Sequence, residues 1–233
     1  MNAEDLKQIA TEGYCLLPDV VDALQVQRLV SAVGRGETTR AGSRNARRLL
    51  ESCPTVAELA DSRAIREVVE PVLGAAAFVV RGLLFDKVEG ANWQVAWHQD
   101  LMIPVRQQIE TPGFSAWSSK QGVVHVCPPA EVLAGMLTVR VHLDDCPQEN
   151  GPLMVLPGTH QRGILSTEQS QQLVAESEPE VCLARAGDVL VMRPLLLHAS
   201  RPASSATHRR VVHLEYATQP LPGLLQWWQS TAT

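Results

Sequence analysis

The spacing of apolar positions changes character near residue 75. Before it, Val21, Leu24, Leu29, Val30 and Val33 recur at roughly helical spacing and predict a helix over Val20–Val33. Asp22 lies in its first turn, where a negative charge suits the helix dipole. Good helix formers from Asn2 to Thr11 predict an earlier helix, broken by Gly13, and Tyr14-Cys15-Leu16-Leu17 is a short apolar strand ahead of Pro18. Pro54–Ala60 and Asp61–Leu73 predict two more helices. Asp61 is the expected N-cap and Gly74 the expected stop of the second, which Pro71 is placed to end early. Gly34 to Asn45 is polar and glycine-bearing, and reads as a mobile connection.

After residue 75 the period falls to two. Phe78–Phe85 is β-branched and aromatic, and Trp93–Trp97 alternates. Leu137–Leu143 alternates cleanly, with Leu137, Val139, Val141 and Leu143 on one face and Thr138, Arg140 and His142 on the other. Leu153–Leu156, Val189–Met192, Leu195–Leu197 and Val211–Tyr216 follow, separated by Asn-Gly, Pro-Gly, Ala-Gly-Asp and Arg-Pro breaks. Asn150-Gly151 is a hairpin signal. Helices first and short strands after predict a mainly β sandwich or barrel with flanking helices. We read residues 1–233 as one domain: 1–74 a helical flank, 75–233 the β core. The stretch from Met102 to Pro129 is rich in Gln, Pro, Gly and Ser and is expected to be a lid or binding loop. Trp117 and His125 in it, with Trp97, would shape a substrate pocket; the plainer alternative is an aromatic plug at the barrel mouth.

Composition narrows the function classes. Apolar residues make up 45% and charged residues 19%, which excludes a disordered chain. The net charge is -5 and no basic cluster interleaves with aromatics, so neither nucleic acid nor an anionic membrane is an expected partner. Arg44, Arg47 and Arg48 are the densest positive group, in a loop-like stretch. The five cysteines are scattered without Cys-x-x-Cys spacing, and Cys15 and Cys182 sit in apolar surroundings. With no signal-like leader and no membrane-spanning apolar run, the expected location is the cytoplasm.

The candidate chemistry lies in the β half. His98-Gln99-Asp100 closes a strand-like segment, and the outer members of such a triplet project to one side of an extended chain. About a hundred residues later, Leu195-Leu196-Leu197-His198 sets a histidine at the end of an apolar run. Two imidazoles and one carboxylate on one face of an ion leave the opposite positions open, as iron(II) oxygenases require. Closed structural zinc sites use four Cys or His ligands, which are not supplied here. The plain alternative is a chance His-x-Asp and a hydrogen-bonded core histidine. Arg209 and Arg210 open the last strand, and alternation lets only one point inward. A buried guanidinium calls for an anion and suits a carboxylate. Otherwise both arginines are surface residues.

These pieces occur in a recognisable order: His98-Gln99-Asp100, Asn150-Gly151-Pro152-Leu153, Leu156-Pro157-Gly158-Thr159-His160, Gly187-Asp188-Val189, His198-Ala199-Ser200 and Arg209. Together, over about Val80 to Tyr216, they resemble the phytanoyl-CoA dioxygenase family. The resemblance implies a double-stranded β-helix (jelly-roll, cupin-like) core and iron(II) on His98, Asp100 and His198. It implies 2-oxoglutarate as co-substrate alongside dioxygen, its distal carboxylate on Arg209, eleven residues after His198, with Arg210 facing outward. Thr138 is a further candidate contact for the co-substrate. Halogenating relatives lack the carboxylate, so Asp100 favours hydroxylation or another oxidation over chlorination; the reaction implied is hydroxylation of a small organic substrate, with release of succinate and carbon dioxide. Alternatives are a cupin-like metal enzyme that does not use 2-oxoglutarate and a non-catalytic jelly-roll binding protein.

Overall fold

The computed structural model of the chain describes residues 1–34, 48–88, 92–204 and 208–229. The predicted mobile connection Gly34–Asn45 falls almost wholly outside them, as do Arg44 and Arg47. The elements are α1 (Ala3–Thr11), β1 (Tyr14–Leu17), α2 (Ala23–Gly34), α3 (Leu49–Ser52), α4 (Pro54–Ala60), α5 (Arg63–Leu73), β2 (Phe78–Lys87) and β3 (Val95–His98). Then come β4 (Ile103–Val105), β5 (Ser115–Lys120), β6 (Val123–Cys127), α6 (Ala130–Ala134), β7 (Leu137–His142) and β8 (Leu153–Val155). The chain finishes with α7 (Thr167–Glu176), β9 (Glu180–Cys182), β10 (Val189–Met192), β11 (His198–Ser200) and β12 (Arg209–Ala217).

The helix ends follow capping chemistry. Asn2 caps α1, accepting from the N–H groups of Glu4 and Asp5, while Asp5 reaches back to the Asn2 N–H. α5 starts one residue later than the sequence predicts. Ser62, not Asp61, accepts from the Ile65 N–H, and Pro71 sits inside the helix without ending it. Gly74, with φ of 88°, stops it as expected.

Two antiparallel sheets form the jelly roll. One has the order β1-β10-β7-β12-β2, the other β3-β11-β8-β9. Strand alternation sends Leu137, Val139, Val141, Val189, Val191, Val212, Leu214 and Tyr216 to the outer face of the five-stranded sheet. There they pack with Ile9, Leu29, Val56, Leu59, Ile65 and Val69 of the helices. The Tyr216 hydroxyl reaches the Ala60 carbonyl at 2.8 Å, so the buried phenol keeps a partner. On the inner face Leu190 and Met192 meet Leu153, Val155 and Cys182 of the opposing sheet.

Three expectations are corrected. Met102–Pro129 is not a structureless lid: it holds the three-stranded sheet β4-β6-β5, built from Val/Ile pairs such as Ile103↔Val126. Asn150-Gly151 does not make a hairpin, because β7 and β8, which it joins, belong to different sheets. It is a tight crossover: Gly151 has φ of 62°, and a Cβ there would lie 2.5 Å from the Arg201 carbonyl oxygen. Leu195–Leu197 is a buried turn rather than a strand. The Leu196 N–H bonds to Arg193 and the Leu197 N–H to Thr159 Oγ1, so His198 begins its strand instead of ending one.

Candidate metal centre and anion pocket

β3 and β11 lie side by side with His198 directly opposite His98. Each ring is locked in the same way, its Nδ1–H donating to the carbonyl two residues earlier: Ala96 at 2.8 Å for His98 and Leu196 at 2.9 Å for His198. This assigns the tautomer and leaves both Nε2 lone pairs facing Asp100, as a metal requires. Asp100 is held by its own N–H, which donates to the Pro194 carbonyl at 2.9 Å. Its Oδ1 is 3.6 Å from His98 Nε2 and its Oδ2 3.8 Å from His198 Nε2. The ring centroids are 4.2 Å apart, and one ligand atom from each residue falls within 4.8 Å of the others.

The electrostatics match a cation's place. Burial alone would raise the Asp100 pKa, yet His198, His98 and His213 hold it well below the usual carboxylate range. Burial pushes the His198 imidazole down to about 4, so it is neutral and able to ligate. For His98, burial is outweighed by Asp100, which raises its pKa. Asp100 Oδ2 is buried without a hydrogen-bond partner, an orphan that a metal ion on the two Nε2 atoms would satisfy. Two imidazoles and a carboxylate on one side suit iron(II).

The second part of the site lies on the inner face of the five-stranded sheet. Arg209 is 4% exposed; its Nη1 donates to the Gly151 carbonyl, and its Nε is buried with no partner. Arg210 points the other way and pairs with Asp144. The register of β12 with β2 sets Lys87 directly opposite Arg209. Lys87 is fully buried; its ammonium donates to Ser200 Oγ at 3.1 Å and the Arg201 carbonyl at 2.7 Å, and stands 5.7 Å from the Trp93 ring centroid. Burial, then the Arg209 charge, lower its pKa to about 7. Neither cation has a carboxylate partner among the described residues, so this corner is ready for an incoming anion.

The remaining predicted residues fall into two groups. Thr138 is buried on the inner face and its Oγ1 has no partner, as expected of a pocket residue. It pairs with Glu215, however, well along β7 from the Arg209–Lys87 corner. Trp97 falls, by strand alternation, on the face opposite His98. Its face-mate Gln99 is tied to the carbonyls of Gly163 and Leu195 and to the Leu165 N–H. Trp117 packs against the apolar cluster of Ile103, Val126, Leu195 and Trp227, with its indole nitrogen buried. His125 is buried on β6, its Nδ1 3.0 Å from the Val123 carbonyl.

Sequence reading missed Lys87 and Ser200 as parts of the anion pocket. A lysine ending an apolar strand looks like a solvent-facing edge residue; only the β2–β12 register puts it beside Arg209. Both nitrogens of His213 are bonded, to Arg140 and Glu215, and it lies within electrostatic range of Asp100.

A jelly roll carrying a facial His/Asp/His set is the architecture of non-haem iron oxygenases. Residues 9–211 match phytanoyl-CoA dioxygenase (PhyH), and the chain belongs to that family, an iron(II)- and 2-oxoglutarate-dependent oxygenase group. Among curated proteins it is similar to an L-proline trans-4-hydroxylase of Streptomyces griseoviridis, 25% identical over 88% of this chain and 82% of that protein. Among solved structures it resembles HygX of Streptomyces hygroscopicus, determined with nickel and 2-oxoglutarate bound, at 19% identity and a TM-score of 0.70. That match covers 98% of this chain and 90% of the other. It also resembles SnoK, a non-haem α-ketoglutarate-dependent carbocyclase from nogalamycin biosynthesis, at 18% identity and a TM-score of 0.72, over 96% and 88% of the two chains. At these identities the structural likenesses establish the jelly-roll fold. Among the described residues no helix is long and apolar enough to cross a membrane.

Proposed function

We propose that the protein hydroxylates an unactivated C–H bond of a small organic substrate, with His98, Asp100 and His198 holding iron(II) and Arg209 and Lys87 holding the distal carboxylate of 2-oxoglutarate. The observation that carries this reading is the orphaned Asp100 Oδ2 between two Nε2 lone pairs, across from two buried cations without counter-charges. Bound there, iron(II) would supply the oxidising chemistry with dioxygen and the 2-oxo acid. The protein's own part is placement. Backbone carbonyls fix the imidazole tautomers, the Pro194 carbonyl anchors the backbone of Asp100, and the Gly151 carbonyl aims Arg209. Thr138 serves as a wall of the substrate pocket, and Trp117 and His125 belong to the β4-β6-β5 sheet, which we assign to the substrate side of the site.

The balanced reaction is R–H, 2-oxoglutarate and dioxygen giving R–OH, succinate and carbon dioxide. Retention of Asp100 supports an outcome other than halogenation, and the likeness to a proline hydroxylase supports hydroxylation over the carbocycle formation named for SnoK. Turnover under ¹⁸O-labelled dioxygen tests it. One labelled atom is expected in succinate and one in the product; a product without new oxygen would assign a different oxidative outcome to the same site.

A further inference from the structure

Two of the three buried cations on the inner face are accounted for by the co-substrate corner, and Arg140 is left over. It is 6% exposed. Its Nη1 donates to His213 Nδ1 at 2.9 Å, its guanidinium lies 5.6 Å from the Phe85 ring centroid, and its Nε has no partner. The chain behind it explains why nothing neutralises it. His213 accepts from Arg140 on Nδ1, so it is Nε2–H that donates to Glu215, at 3.2 Å. Glu215 in turn takes an ion pair from Arg81 at 3.1 Å. The one carboxylate in the row is thus spent on Arg81, and Arg140 meets only an imidazole nitrogen. No ion pair to Arg140 exists among the described residues.

The surroundings have the make-up of a binding site rather than of a core. Thr138 and His142 flank Arg140 on the same face of β7. Thr138 Oγ1 and both nitrogens of His142 are buried without partners. Burial, then the charges of Arg140 and Arg209, push His142 down to about 3, so its ring is neutral and keeps one N–H to donate. Arg140 stands opposite His213 on the inner-facing side of β12 that also carries Arg209, within electrostatic range of both Asp100 and Arg209. A desolvated guanidinium with idle donors beside it costs stability unless an anion arrives. The dianion 2-oxoglutarate is matched by Lys87 and Arg209 at one end and by the metal at the other. A divalent ion, three cations and Asp100 still leave the cavity positive once it is bound.

We propose that Arg140, with Thr138 and His142 beside it, binds a carboxylate of the primary substrate, which makes the substrates small organic acids, amino acids among them. This rests on the oxygenase reading above. A guanidinium meets a carboxylate through paired N–H donors, which fixes orientation as well as charge, so one end of the substrate is pinned and a C–H further along is presented to the metal.

The test uses the full chain loaded anaerobically with iron(II) and saturating 2-oxoglutarate, so that added acids cannot occupy the co-substrate's place. L-proline, L-pipecolate, L-lactate and benzoate, each beside its carboxamide, are titrated while the visible chelate band and the heat of binding are followed. At least one acid should bind about 30-fold or more tighter than its amide, in line with a buried charged hydrogen bond. Arg140→Gln should reduce that ratio below about threefold, and Arg140→Lys should restore part of it. The 2-oxoglutarate dissociation constant should stay within about threefold in both, whereas Arg209→Gln should raise it. A persisting chelate band shows that each variant is folded. Equal binding of acids and amides by the wild type would overturn the proposal. So would an Arg140→Gln protein that keeps the ratio but loses 2-oxoglutarate affinity tenfold, since Arg140 would then serve the co-substrate. Absence of the band in the wild type would instead sink the oxygenase reading, and this proposal with it.

Discussion

The two faces of the five-stranded sheet are built from the same strands yet obey opposite rules. On the outer face Leu137, Val139 and Val141 are fully buried against helices. One residue along in each case, Thr138, Arg140 and His142 are also buried but hold polar atoms without partners. β12 repeats the contrast, with Val212 and Leu214 outward and Arg209, His213 and Glu215 inward. Burial therefore does different work on each side. Outside it stabilises, at roughly 1.5–3 kcal/mol for each Val or Leu fully withdrawn from water. Inside it holds charges and donors out of water at a cost, so that they are free for ligands.

Substitutions should separate the faces cleanly. The largest effect belongs to the ligand set. Asp100→Ala or His198→Ala should cut 2-oxoglutarate turnover on the order of 10³-fold or more, at about 1.4 kcal/mol per tenfold, measured as succinate release. Next, Arg209→Gln should raise the 2-oxoglutarate dissociation constant about 10- to 100-fold, equivalent to the roughly 1.5–3 kcal/mol of a charged hydrogen bond, by calorimetry. On the outer face Val139→Ala should cost about 1–3 kcal/mol in denaturant unfolding and leave 2-oxoglutarate affinity within about twofold. His142→Leu should behave in the opposite sense, keeping or gaining about 1 kcal/mol of stability by removing unpartnered nitrogens. Equal destabilisation by both would break the comparison.

Lys87 sharpens it through pH. Its ammonium titrates at about 7 in the ligand-free protein, because burial and Arg209 disfavour the charge. A bound carboxylate favours that charge and raises the pKa. Above about pH 7, then, binding must take up a proton, and affinity should fall as pH rises, by up to about tenfold per unit. The sign for stability is also set. The folded pKa lies below the unfolded one, so the penalty is complete below about pH 7 and fades as pH climbs toward the ordinary lysine value. Lys87→Met should flatten the affinity profile and abolish proton uptake measured in buffers of different ionisation enthalpy.

Much of this was legible in the chain because the signals were local. The period-two run at Leu137–Leu143 set both faces of β7, His98-x-Asp100 set two ligands, and strand parity at Arg209-Arg210 left one arginine inside. What escaped depended on distant pairing. Lys87 acquires its role from register with a strand some 120 residues later, and Arg140 from Glu215 being consumed by Arg81. Met102–Pro129 escaped because β5 is polar on its exposed side and carries a bulge, which erases the alternation. Near the C-terminus, Trp227 is buried in the apolar cluster with Ile103, Val126 and Leu195, while the Trp228 indole bonds Glu51 at 2.7 Å.

The central claim is that His98, Asp100 and His198 gather one metal ion whose open side admits a 2-oxo acid. Anaerobic titration of the protein with iron(II) and 2-oxoglutarate, read as the weak visible charge-transfer absorption of the chelate, addresses it most directly. The account predicts a band saturating at one iron and one 2-oxoglutarate per chain, lost in Asp100→Ala and displaced to higher 2-oxoglutarate in Arg209→Gln. Iron bound tightly with no 2-oxoglutarate-dependent band, or a band that survives Asp100→Ala unchanged, would contradict it.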